Sequence, residues 1–365
     1  MPTLHTPGRS VSNDNIPEGY QSSGASPPEP ATIHLLGIGK VGRAFLQLLS
    51  NQQLSNPVLL NNGFRLSAAT DSTATVYCRE GLAASEISKF KENGGSLKDY
   101  PGAERLPIDI ALNVVRANIV IDAAPTNMKN ASAALDRAFC ALRAGSNIAL
   151  AGKDALAAGA ELLLTREHAG RVGINGALGE TGAALIRELA ILQKECNKIE
   201  IVANATTTCV IEAIENGSSL DDAIGEARRR GLLESDPGDD FNGSDAATKL
   251  AIVARAVFQK SVDFKSITRE DLRDLDIQQL RARAAKGKTT RLVGRAGRNG
   301  SLSVVFQEVD RFSPLNVPSD RLVYIYYDSS GARRVFVGNG VGPVATARAL
   351  WDDAAAFSAV RGGAR

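Results

Sequence analysis

The chain has 365 residues and a formal net charge of +2 at pH 7. A chain of this length buries a sizeable core in two or three subdomains, and its balanced charge carries no electrostatic footprint for nucleic acid or for an acidic partner. No run of roughly 18 apolar residues occurs, so a membrane-spanning helix is not expected.

Residues 1–30 are rich in Pro, Ser, Gly and Asn and lack an apolar core segment, which predicts a disordered tail with neither signal peptide nor anchor. An apolar strand over 32–36 then runs into Gly37-Ile38-Gly39-Lys40-Val41-Gly42 and a helix over 43–49. Further strands follow at 64–70, ending at Asp71, and at 117–121, before Asp122-Ala123-Ala124-Pro125. A helix over 131–144 leads to a strand at 147–151 and to Gly152-Lys153. Strands alternating with helices predict an α/β fold with a doubly wound parallel sheet. The chain turns Gly-rich from Gly176 and helical over 183–193. A strand at 199–203 then meets Asn204-Ala205-Thr206-Thr207 and a helix to Ile214. Ser219-Leu220-Asp221-Asp222 forms a capping box for a helix ending at Arg230. Residues 290–337 alternate apolar and polar side chains, as antiparallel strands do, and a last helix over 344–357 follows Gly338–Gly342.

Four scattered cysteines (Cys78, Cys140, Cys196, Cys209) show no zinc-like spacing. They read as reduced thiols in a cytoplasmic protein, and no metal site is expected. Basic residues gather at Arg281, Arg283, Lys286, Lys288 and Arg291 without interleaved aromatics, which predicts a solvated basic face and no nucleic-acid partner.

The glycine string follows a strand and opens a helix, the context that a dinucleotide-binding turn requires. In that reading Gly37 makes the tight turn, Gly39 admits the pyrophosphate and Gly42 lets helix and strand pack, with Ile38, Lys40 and Val41 between them. A plain strand-to-helix turn is the alternative. Asp71 could hold a ribose hydroxyl, which favours NAD, although it lies farther on than the usual spacing of about 20 residues. Lys40, Arg43 or Arg79 could instead meet the extra phosphate of NADP, so the cofactor is left as NAD or NADP.

Hydride chemistry at a carbonyl also needs a proton donor. His5 lies in the tail, His34 inside the first strand and His168 at a helix end, so a lysine is the better candidate. Residues 227–249 leave one helix, cross a Pro/Gly loop rich in acids and place Asp245 and Lys249 one turn apart at the start of another. Leu250, Val253, Ala254, Val257 and Phe258 anchor that helix in a core. The pattern suits a proton-transfer lysine beside carboxylates that bind a cationic group; by itself it also reads as a solvated loop with an ordinary cap. Lys153, beyond an apolar strand end where ligands of open α/β sheets gather, is the second lysine in a motif position.

The same run resembles the signature of homoserine dehydrogenases. Ala227, Gly231, Glu234, Asp236, Pro237, Asp240, Gly243, Asp245 and Lys249 fall in place, with Phe241 where an aliphatic residue is usual. Looser likenesses lie at Ala151-Gly152-Lys153, at Asn204–Thr208, at Asn175–Gly182 and at Gly338, Gly340, Gly342, Thr346 and Ala347. Leu232, Ala205, Thr208 and Asn175 depart from the family pattern. The resemblance implies a Rossmann-type cofactor domain over 31–173 completed by 341–361, and an α+β catalytic and dimerisation domain over 174–340, in a homodimer. It implies interconversion of L-homoserine and L-aspartate 4-semialdehyde, with Lys249 relaying the proton, Asp245 orienting it and Lys153 assisting. Glu234 and Asp240 would hold the substrate ammonium and Thr206 the carboxylate end. Gly342 would join the cofactor contacts. A same-scaffold dehydrogenase acting on another amino-acid semialdehyde is the alternative, and a non-catalytic nucleotide-binding protein the third reading. Neither a C-terminal regulatory domain nor a fused kinase is expected after the last helix.

Overall fold

The computed structural model describes residues 29–52, 63–233, 238–339 and 342–362; the tail, apart from 29–30, and Glu234 lie outside the described residues. The first half alternates short strands and helices: β1 (Ala31–Leu36), α1 (Lys40–Gln52), β2 (Phe64–Thr70), β3 (Thr75–Tyr77), α2 (Ala84–Glu92), α3 (Ile108–Val115), β4 (Ile119–Asp122), α4 (Ala131–Arg143), β5 (Asn147–Leu150), α5 (Asp154–Leu163) and β6 (Val172–Gly173). These strands form one sheet in the order β3-β2-β1-β4-β5-β6, parallel except at the β2–β3 pair. Its central strands are apolar on both faces, as helices on either side require: Ile119, Val120 and Ile121 are all buried. β4 starts two residues later than expected. Asn118 is used in a side-chain exchange, accepting from the Thr32 amide (3.0 Å) while its own amide donates to Thr32 Oγ1 (2.9 Å).

The second half holds α6 (Asn175–Leu178), α7 (Thr181–Glu195), β7 (Lys198–Val202), α8 (Ala205–Glu215), α9 (Leu220–Arg229), α10 (Gly238–Phe241), α11 (Ser244–Phe258), β8 (Thr268–Arg269), α12 (Ile277–Ala285), β9 (Lys288–Gly297), β10 (Leu302–Asp310), β11 (Arg321–Tyr327) and β12 (Arg333–Asn339). The strands give a second sheet in the order β12-β11-β7-β9-β10-β8, antiparallel except where β8 meets β10. One face of it, with Ile199, Ile201, Tyr324 and Tyr326, shares a core with α7 and α11. The other carries a separate cluster of Val202, Val293, Val323 and Ile325, partly roofed by Leu315 and Val317. The last helix, α13 (Gly342–Gly362), returns to the first sheet. There Ala347, Leu350, Ala354 and Phe357 join Phe45 and Leu46, and Trp351 meets Phe64 edge-on at 4.9 Å.

The solvated basic face expected near 281–291 fails at Arg291, which is buried and held by Glu212 (3.1 Å) and Asn316 (2.7 Å). Burying that guanidinium requires opposite charge, which the C-terminal turn of α8 supplies.

Candidate active site

The turn after β1 is built by steric exclusion. Gly37 sits at φ +83°, and a Cβ there would lie 2.5 Å from the Ala123 carbonyl oxygen. A Cβ on Gly42 would lie 2.1 Å from the Gly37 carbonyl oxygen, whereas one on Gly39 would meet nothing within 4 Å. Gly37 and Gly42 therefore serve the packing of the turn, Ile38 is buried in the core, and Gly39 faces open space. Gly39, Lys40 and Val41 line a cavity of about 540 Å³. Its other walls come from residues 123–126 after β4, Gly152 and Lys153 after β5, Lys249 of α11, and Thr346 and Asp352 of α13. An open glycine beside a helix N-terminus at the carboxyl ends of parallel strands fits a dinucleotide.

Asp71 stands apart from that lining. Its Oδ1 accepts from the Thr73 amide (2.8 Å) and hydroxyl (2.6 Å), and its Oδ2 from Lys91 Nζ (2.7 Å) and the Leu97 amide (3.0 Å). Burial would raise this carboxyl, but Lys91 and these donors hold it well below the ordinary carboxylate range. Both oxygens thus serve the loop after β2. Gly342, at φ +86°, opens α13 and is likewise absent from the described lining. His34 is fully buried, donating to or accepting from Thr70 Oγ1 at 2.8 Å, and burial lowers its pKa to about 4.

Lys153 and Lys249 of the acid–lysine cluster line the cavity, while Asp245, Asp240 and Thr206 stand behind them, absent from the described lining. Asp245 and Lys249 lie in the first two turns of α11, whose buried stripe (Leu250, Val253, Val257) fixes the helix. Lys249 Nζ donates to Asp245 Oδ2 (2.8 Å) and to the Ala203 carbonyl beyond β7 (2.7 Å). Lys153 Nζ, arriving from the first sheet, lies 3.3 Å from Asp245 Oδ1. Burial alone would push the Asp245 carboxyl up; the two ammonium groups overcome it and hold the pKa well below the ordinary range. Asp240 takes the opposite direction, raised first by burial, with the Asn204 hydrogen bond opposing. Thr206 Oγ1 lies 2.9 Å from the Leu232 carbonyl and 3.1 Å from Asp240 Oδ2. Lys153, Lys249, Asp245, Asp240 and Thr206 are thus brought together; Glu234 lies outside the described residues.

Two participants were not singled out from sequence. Asn204 caps α8 and joins the two aspartates, and its place at a strand end before Thr-Thr is an N-cap signal that could have marked it. Asp353 of α13 accepts from the Asn175 amide (3.1 Å) and from Asn175 Nδ2 (2.9 Å), and burial raises its pKa to about 8. An acid within the apolar stripe Leu350, Ala354, Phe357 was the available signal. Two departures from the family pattern find physical reasons here. Leu232 contributes its main-chain carbonyl to Thr206 and packs its side chain on the apolar cluster of α8 and α9, and Asn175 is matched to Asp353.

A family profile described as homoserine dehydrogenase matches residues 184–354. A homoserine dehydrogenase of Methanocaldococcus jannaschii is 27% identical over 329 residues, covering 88% of this chain and 96% of its own. An NAD(+)-dependent homoserine dehydrogenase of Pseudomonas canavaninivorans is 26% identical, with 88% and 94% covered. The solved structure of a hyperthermophilic archaeal homoserine dehydrogenase in complex with NADPH superposes with a TM-score of 0.70 at 21% identity, covering 90% of this chain and 97% of that one; this is a likeness of fold.

Proposed function

We propose that this chain, which belongs to the homoserine dehydrogenase family, interconverts L-homoserine and L-aspartate 4-semialdehyde with NAD or NADP. The observation that carries the reading is the meeting of Lys153 and Lys249 on Asp245 at the wall of the same cavity that Gly39 enters. The bound cofactor supplies or accepts the hydride. In the reducing direction the Lys249 ammonium donates a proton to the carbonyl oxygen at C4; in the oxidising direction the neutral amine removes the hydroxyl proton. Lys153 adds positive charge where the oxyanion develops, and Asp245 keeps both amines in place. Asp240 holds the substrate ammonium together with Glu234, since a buried cation calls for carboxylates, and Thr206, beside Asp240, meets the carboxylate end.

The domain division proposed is 31–173 with 341–361 for the cofactor and 174–340 for catalysis and dimerisation. The helix-free face of the second sheet supports a homodimer. Val335 and Val337, 39% and 52% exposed, extend its apolar cluster to the β12 edge. Among the described residues no helix is long and apolar enough to cross a membrane. A cytoplasmic location, argued from the scattered cysteines, is part of the same proposal. The deciding assay is NAD(P)H oxidation with L-aspartate 4-semialdehyde, run beside the deaminated 4-oxobutyrate. Preference for the amino acid is expected; equal use of both would remove the ammonium pocket and with it this substrate.

A further inference from the structure

Asp240 and Asp245 are two buried carboxylates with opposite tasks within reach of one amide group. Asn204 Nδ2 donates to Asp240 Oδ1 at 2.7 Å and to Asp245 Oδ2 at 3.2 Å. Its Oδ1 accepts from the Thr207 amide at 2.8 Å, which settles the orientation of the amide: turned over, it would aim an oxygen at both acids and leave the α8 cap unmade. Every hydrogen-bonding group of the side chain is thereby used. Asp245 Oδ2 also receives Lys249 Nζ, so hydrogen bonds run from the proton-transfer lysine through Asp245 and Asn204 to the ammonium-binding acid. We propose that Asn204 is the positioning residue of the site, holding Asp245 on Lys249 and Asp240 ionised and turned to the substrate ammonium. The proposal rests on the homoserine reading for the identity of that ammonium, though not for the geometry. Lys249, Lys153 and the buried Tyr324 hydroxyl are the other charged or titratable groups that act on this pair, whose two carboxylates also repel each other.

Two variants separate positioning from folding. Asn204→Ser keeps a capping oxygen and removes both donors; Asn204→Asp keeps size and cap and adds a like charge. With [γ-13C]aspartate in the chain, the Asp240 carboxyl resonance, assigned by its loss in Asp240→Asn, is followed against pH. Its midpoint should rise by about one pH unit in Asn204→Ser and further in Asn204→Asp. The acid limb of the kcat/KM profile should move up in the same order, and KM for homoserine should rise at least as steeply as kcat falls, with NAD(P)H titration unchanged. A midpoint and acid limb that stay put, with only kcat reduced, would make Asn204 a structural cap and overturn the proposal. Absence of homoserine turnover in the unaltered protein would instead defeat the substrate reading, while the resonance still decides the role of Asn204.

Discussion

Lys249 and Asp353 make sharply different predictions at the scale of single residues. Lys249→Met preserves much of the stem and deletes the amine, and Lys153 still compensates Asp245. Turnover should fall about 100- to 10,000-fold, with cofactor affinity held by the turn after β1 and so unchanged in a fluorescence titration. Near-normal turnover would take Lys249 out of proton transfer. Asp353 has its folded pKa raised to about 8 against an ordinary carboxyl value near 4. The folded state therefore binds the extra proton across that window. The stability contributed by the protonated acid is complete below the ordinary value and is lost as pH rises through about 8. Thermal midpoints should thus drop between about pH 4 and 8 and level off above, and Asp353→Asn should flatten the drop; an unchanged slope would assign it to other groups. Sequence showed the Lys249–Asp245 pair because four residues on a helix make one turn. The pairing of Asp353 with Asn175 spans 178 positions and that of Asn204 with Asp245 spans 41, distances over which no local period operates. Asp71 reads from sequence as the acid that ends the second strand, in spite of its long spacing; its Asx-type turn onto Thr73 and Ala74 is a local feature that this reading leaves out.

The turn between β1 and α1 is the element whose parts can be tested against each other. Gly39→Val should fold normally, because a Cβ there meets nothing within 4 Å, and should weaken NAD(P)H binding at least tenfold by filling space in the cavity where the pyrophosphate is expected. Gly42→Val should instead lose soluble, folded protein, since its Cβ would overlap the Gly37 carbonyl. Circular dichroism with a cofactor titration on each variant reads both effects; a folded Gly39→Val with unaltered affinity would make the turn structural only. The order strand, glycines, helix was legible because the three are adjacent in the chain, although α1 starts at Lys40 and runs to Gln52, past the 43–49 expected. The alternating segments over 290–337 were legible as antiparallel strands for the same local reason. Their insertion of β7 between β11 and β9 was not, since strand order depends on long-range pairing.

At the scale of the molecule, the helix-free face of the second sheet sets the expected assembly. Val337 is half exposed, so Val337→Asp should leave the protomer folded while placing a charge in the apolar patch. Sedimentation should then show the mass of one chain where the proposed homodimer predicts two for the unaltered protein; equal masses would move the interface elsewhere. The return of α13 to the first sheet has a consequence for how the chain is made. Synthesis runs at about 5–20 residues per second, so β1–β6 leave the ribosome on the order of ten seconds before their covering helix exists. During that interval Phe45, Phe64 and Leu46 have no Trp351 or Leu350 to pack against, and the nascent protein presents an apolar face that the finished one hides. Such a face would be open to a holding chaperone until translation reaches α13. Chains arrested before residue 342 should therefore be cut readily by protease around α1, and chains extended past residue 362 should resist.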